Sequence, residues 1–119
     1  MPKLLSHHAT IFSVPDIEQA LSFYRDKLGF SVEFLWQDPP SYAVLQRDEA
    51  VKLHLSQSEN TVSGHGMAYV FVHDIDALHE EFRKKGLPVG DAPIKADYGM
   101  RDFDLADPWG NRLTFGMGS

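Results

Sequence analysis

Residues 14–30 read Val-Pro-Asp-Ile-Glu-Gln-Ala-Leu-Ser-Phe-Tyr-Arg-Asp-Lys-Leu-Gly-Phe, and residues 72–87 read Val-His-Asp-Ile-Asp-Ala-Leu-His-Glu-Glu-Phe-Arg-Lys-Lys-Gly-Leu. The second stretch repeats the first. Asp16-Ile17-Glu18 returns as Asp74-Ile75-Asp76, Arg25 as Arg83, and Gly29-Phe30 as Gly86-Leu87, with one residue lost on the way. An aspartate ahead of an apolar run is a helix N-cap signal, and a glycine after the last apolar position is a stop. In the first copy Gln19 completes a weak capping box with Asp16, and Ala20, Leu21, Tyr24 and Leu28 recur at helical spacing. In the second copy Leu78 and Phe82 form the apolar face. Two half-length copies in 119 residues predict two similar units around one shared space, where a ligand would bind.

Extended apolar runs precede the helices, Ala9 to Val14 and Met67 to Val72. Three short runs follow each helix: 31–36, 42–47 and 51–56 in the first half, 88–93, 101–106 and 112–116 in the second. Turn formers separate them: Asp38-Pro39-Pro40, Asp48-Glu49 and Asp107-Pro108-Trp109-Gly110-Asn111. Each half is therefore βαβββ. The predicted fold is α+β, two tandem βαβββ modules forming a cupped, barrel-like mixed sheet with helices outside. The chain reads as one domain, with repeat one over residues 7–57, repeat two over 66–117, and a polar link over 57–66.

Strand alternation assigns faces. In Lys52-Leu53-His54-Leu55 the leucines pack under the helices and His54 points the other way. Arg112-Leu113-Thr114-Phe115 repeats this with Thr114, and Asp102-Phe103-Asp104-Leu105 turns both aspartates away from the helices. Phe23, Phe82, Phe103 and Phe115 are the expected core aromatics, Trp109 is expected to cap the edge, and His73 and His79 are expected at the surface.

Composition narrows the function classes. With no cysteine, disulfides and thiolate metal sites are excluded, which fits a cytoplasmic protein. No apolar run approaches the roughly 20 residues of a membrane span, and residues 1–8 lack a signal-length apolar stretch. A net charge of −6 sets aside nucleic acid, which needs a basic patch, and suits a cationic ligand. No nucleophile elbow or Gly-rich phosphate loop is present.

Tandem βαβββ units with Asp-Ile-Glu-x-Ala-Leu-x-Phe-Tyr-x-x-x-Leu-Gly-Phe and a late Asp-Pro-x-Gly-Asn resemble the vicinal oxygen chelate superfamily of glyoxalases, bleomycin-resistance proteins and dioxygenases, over residues 8–116. Enzymes of that superfamily hold a divalent metal with His, Glu or Gln, one from each of four strands. The resemblance puts those positions at Ala9, at Leu53 or His54, at Met67 and at Thr114. One ligand in four does not make a metal site.

The closer resemblance is to the bleomycin-resistance branch, which lacks the metal ligands. Three stretches carry it: residues 47–56, residues 68–72 and residues 98–111. In that alignment Tyr98 stands at a drug-stacking Trp, Asp102 at a Glu, Tyr42 at a Phe and His54 at an aromatic position. The resemblance implies a metal-independent binder, without cofactor, that sequesters a planar, cationic, bleomycin-like antibiotic in a groove between the two protomers of a homodimer. The implied site is Phe34, Trp36, Tyr42, His54 and Tyr98 for stacking, with Asp38, Asp102 and Asp104 for charge. One alternative is a metal-dependent lyase, isomerase or dioxygenase with a shifted site built from His7, His54 and His65, and another is a metal-free member with a different cellular ligand or an interaction role.

Overall fold

The computed structural model describes residues 2–58 and 65–118. Strand β1 (Thr10–Val14) leads into helix α1 (Ile17–Leu21), whose N-cap Asp16 accepts from the Gln19 N–H at 3.0 Å. Helix α2 (Ile75–Lys84) starts the same way, with Asp74 accepting from the Ala77 N–H at 3.0 Å. Of the expected apolar faces, Ala20, Leu21, Tyr24 and Leu28 in the first repeat and Phe82 in the second are buried, while Leu78 is half-buried against the same core.

The residue lost between the repeats has a structural counterpart. After α1 the chain widens into a π-helical segment, Ser22–Lys27, and the Leu28 N–H donates to the Phe23 carbonyl five residues back at 3.2 Å. One extra residue between cap and stop is thus absorbed by a wider turn. Gly29 and Gly86 then arrive at the same left-handed conformation, φ 78° and 79°. The two helix ends cross-link: Lys27 donates to the Lys85 carbonyl at 3.1 Å and Lys85 to the Asp26 carbonyl at 2.8 Å.

Strands β2 (Ser31–Trp36), β3 (Tyr42–Arg47) and β4 (Val51–Gln57) join β1 in the order β1-β4-β3-β2, with β1 parallel to β4. Strands β5 (Met67–Phe71), β6 (Ile94–Lys95), β7 (Met100–Ala106) and β8 (Arg112–Gly118) repeat the pattern as β5-β8-β7-β6. Three expectations need correction. The strand expected over 88–93 is not formed; pairing starts at Ile94, because Pro88 and Pro93 lack the N–H a ladder needs and Gly90 bends the chain at φ 78°. Among the described residues the two sheets share no strand pairing and do not close into a barrel. His79 is not at the surface but 4% exposed, its Nε2 donating to the Val89 carbonyl at 3.1 Å and its ring meeting Phe103 edge-on. Most of the expected link, residues 59–64, lies outside the described residues.

One apolar cluster joins the repeats beneath the helices. Phe12, Leu45 and Leu55 from the first half meet Ile75, Phe82, Phe103 and Phe115 from the second. Of the four expected core aromatics, Phe82, Phe103 and Phe115 are buried, while Phe23 is half-buried against Trp109. Two polar links bind the halves at pseudo-equivalent places. Buried Tyr24 donates to Asp107 at 2.7 Å, and Arg47 forks onto Glu81 at 2.7 and 2.8 Å. That ion pair holds the Glu81 carboxyl below the usual range, chiefly through the Arg47 hydrogen bonds. Among the described residues no helix is long and apolar enough to cross a membrane.

Candidate functional site

Each sheet buries one face under the helices and leaves the other open. On the first sheet Leu53 and Leu55 are buried and His54 points away, as the alternation requires. Register then builds two rows on the open face. Phe34, Val44, His54 and Ile11 form one, and Trp36, Tyr42, Ser56 and Ser13 the other. Strand β2 reaches this arrangement through a bulge between Val32 and Phe34. Val32 pairs with Leu45 on the helix side, and the extra residue flips parity so that Phe34 and Trp36 face outward. Phe34 and Trp36 remain 54% and 55% exposed. The Tyr42 hydroxyl and His54 Nδ1 share a 2.7 Å hydrogen bond, with the rings edge to face at 5.4 Å. Asp38 lies in the exposed turn after β2, beyond these rows.

On the second sheet the rows are Tyr69, Thr114 and Asp104, then Phe71, Gly116, Asp102 and Ile94. Tyr98, 66% exposed, precedes β7 and donates to Asp102 Oδ2. Tyr69 donates to the same oxygen at 3.3 Å, and Thr114 donates to Asp104 at 2.7 Å. The hydrogen bond to Asp102 pushes the Tyr98 phenol well above the usual tyrosine range, with burial and the Asp102 charge adding to it. Burial, then the Asp102 charge, raises Tyr69. Both therefore stay protonated donors near neutral pH. Sequence reasoning missed Tyr69, although its place in Met67-Ala68-Tyr69-Val70-Phe71 gives it the parity of the open face.

The expected residues thus fall into two sets. Phe34, Trp36, Tyr42 and His54 share one open face, and Tyr98, Asp102 and Asp104 share the other. Rings on one face can stack on a flat ligand; carboxylates on the other can accept from a cation.

A divalent metal does not suit the four positions the resemblance marks. Ala9 and Met67 offer no hard donor and the Thr114 hydroxyl donates to Asp104, which leaves His54, with Nδ1 on Tyr42, as a lone ligand through Nε2. The alternative set fares no better: among the described residues no three His, Asp or Glu side chains are grouped to hold a metal, so His7, His54 and His65 are not assembled into one.

Comparison with known proteins places the fold and the family. The family model described as Glyoxalase/Bleomycin resistance protein/Dioxygenase superfamily matches residues 5–115. Bleomycin resistance proteins of Geobacillus stearothermophilus and Staphylococcus aureus are 27% identical to this chain, covering 86% of it and 89% of their own length. The bleomycin-binding protein of bleomycin-producing Streptomyces verticillus, solved with copper(II)-bleomycin, superposes with a TM-score of 0.79 and 29% identity over 100% of both chains. TnmS3, an antibiotic binding protein from a Streptomyces species, shares the fold at a TM-score of 0.76 and 23% identity, covering 99% of this chain and 100% of its own.

Proposed function

The chain belongs to the Glyoxalase/Bleomycin resistance protein/Dioxygenase superfamily, and on that premise we propose that it sequesters a planar, cationic antibiotic-type molecule without metal and without chemical conversion. The ligand lies in a groove formed when the open sheet faces of two protomers meet. Phe34, Trp36, Tyr42, His54 and Tyr98 stack on its rings; Asp38, Asp102 and Asp104 complement its charge. The protein acts in the cytoplasm, as a single domain of two repeats. What carries the reading is that Phe34, Trp36 and Tyr98 stay more than half exposed on open faces instead of joining the core. Exposed aromatic patches of this kind mark binding surfaces. The bleomycin-binding relative makes bleomycin the first ligand to try.

The test is a titration of metal-free bleomycin into EDTA-treated protein, followed by tryptophan fluorescence and by calorimetry. Saturable binding at micromolar or lower concentration supports the reading; no heat and no quench defeats it.

The shared groove has a second consequence. Ile11, Met67, Phe71 and Ile94 are also exposed on the open faces, in a molecule measuring 46 × 43 × 23 Å. A second copy covering them would bury that apolar surface. Gel filtration is expected to give about twice the chain mass of 13.4 kDa; a clean monomer at micromolar concentration removes the shared groove.

A further inference from the structure

We infer that Gly116 and Tyr69 set the charge preference of the groove by holding Asp102 in one orientation. The inference rests on the antibiotic-binding reading above.

Gly116 lies on the open face of the second sheet, between Phe71 and Asp102 in the same row. A Cβ at position 116 would fall 2.0 Å from the Tyr69 hydroxyl and 2.8 Å from its Cζ. The missing side chain is therefore what lets the phenol of an edge strand lie across central strand β8. It reaches Asp102 Oδ2 at 3.3 Å on the far side. Tyr98 reaches the same oxygen from the turn before β7. Two donors converge on one oxygen, and among the described residues none donates to the other, Oδ1. Asp102 presents that oxygen to the groove in a fixed direction.

This matters because a freely rotating surface carboxylate gains little from an ion pair. Solvent screens it, and ordering it costs conformational entropy. Two phenols remove most of that ordering cost before the ligand arrives. The ligand group that fits Oδ1 is an N–H donor carrying positive charge, an ammonium or a guanidinium. Tyr69 and Gly116 act through Asp102 and are positioning residues. Gly116→Ala displaces the hydroxyl end of Tyr69 and, with its Cβ 3.1 Å from Asp102 Cβ, also presses slightly on Asp102, whereas Tyr69→Phe removes the hydrogen bond alone.

The experiment compares full-length wild type, Gly116→Ala, Tyr69→Phe and the double variant. The probes are bleomycin and bleomycinic acid, in which a carboxylate replaces the cationic tail. Each single variant is expected to weaken bleomycin three- to tenfold and to leave bleomycinic acid unchanged. The double variant should lose no more than either single one, because both changes remove the same hydrogen bond. Spectrophotometric titration should show one phenol returning toward the ordinary tyrosine range in Gly116→Ala. If Tyr98→Ala weakens bleomycin while both single variants bind normally, the positioning role is overturned and the binding reading stands. Equal losses for the two probes would also overturn it, since Tyr69 would then serve only as contact area. If wild type binds neither probe, the binding reading falls and the inference falls with it.

Discussion

Asp107→Ala is expected to destabilise the fold by about 3–5 kcal/mol, the range of a broken buried polar network. Asp107 is 5% exposed. Its carboxylate accepts from the Tyr24 hydroxyl at 2.7 Å, the Trp109 N–H at 2.9 Å, the Asn111 N–H at 2.8 Å and the Asn111 side chain at 2.9 Å. Asn111 in turn donates to the Ser13 carbonyl at 3.0 Å and accepts from the Gly66 N–H at 3.1 Å. The turn therefore fastens β1, the start of β5 and the π-helical segment of the first repeat. Removing the acceptor leaves several buried donors unpaired, at about 1–3 kcal/mol each where water cannot reach. Urea denaturation followed by circular dichroism measures the loss, and a value below about 1 kcal/mol would refute the keystone role.

The same network predicts an alkaline limit. Burial first, then the Asp107 charge and hydrogen bond, pushes the Tyr24 phenol far above the usual range. Unfolded tyrosine ionises near pH 10, while folded Tyr24 keeps its proton. The contribution is therefore fully present below about pH 10 and is lost as pH rises beyond it. Tyr24→Phe should flatten the fall of stability above that pH; parallel profiles for wild type and variant would count against it.

Replacing Trp36 and Tyr98 together by alanine should weaken bleomycin binding about a hundredfold. An aromatic anchor in a groove contributes about 1.4 kcal/mol, a factor of ten, from stacking and from the area it covers. Both side chains are more than half exposed and lie outside the core. The melting temperature should hardly move, since substitutions at such surface positions usually stay within about 0.5 kcal/mol. Calorimetry on each single variant should show roughly a tenfold loss, and less than threefold would take that ring out of the site. Fluorescence adds a check, because the chain has 2 tryptophans and the other, Trp109, packs edge-on to Phe23. If bleomycin quenches Trp36→Ala as strongly as wild type, the reporting indole is Trp109 and the groove is misplaced.

Local rules carry a long way here. An aspartate cap, an apolar stripe and a terminal glycine define each helix without help from the rest of the chain. Period-two alternation turned Leu53 and Leu55 inward and His54, Thr114, Asp102 and Asp104 outward. The features that escaped depend on something outside the local window. His79 looks like a surface helix residue until the 88–93 segment folds over it with the Val89 carbonyl as acceptor. Simple alternation places Val32, Phe34 and Trp36 on one face, and the bulge moves Val32 to the other.

By itself the sequence determined the duplication, the α+β class, the parity of the central strands and the family, because each follows from short-range periodicity or from an aligned motif. Tertiary structure alone decided that Tyr24 donates to Asp107, that Arg47 meets Glu81 across the repeats, and that Tyr69 crosses Gly116 to reach Asp102. These contacts join residues far apart in the chain. Their geometry is set by how two sheets pack on a shared core, which no local pattern encodes.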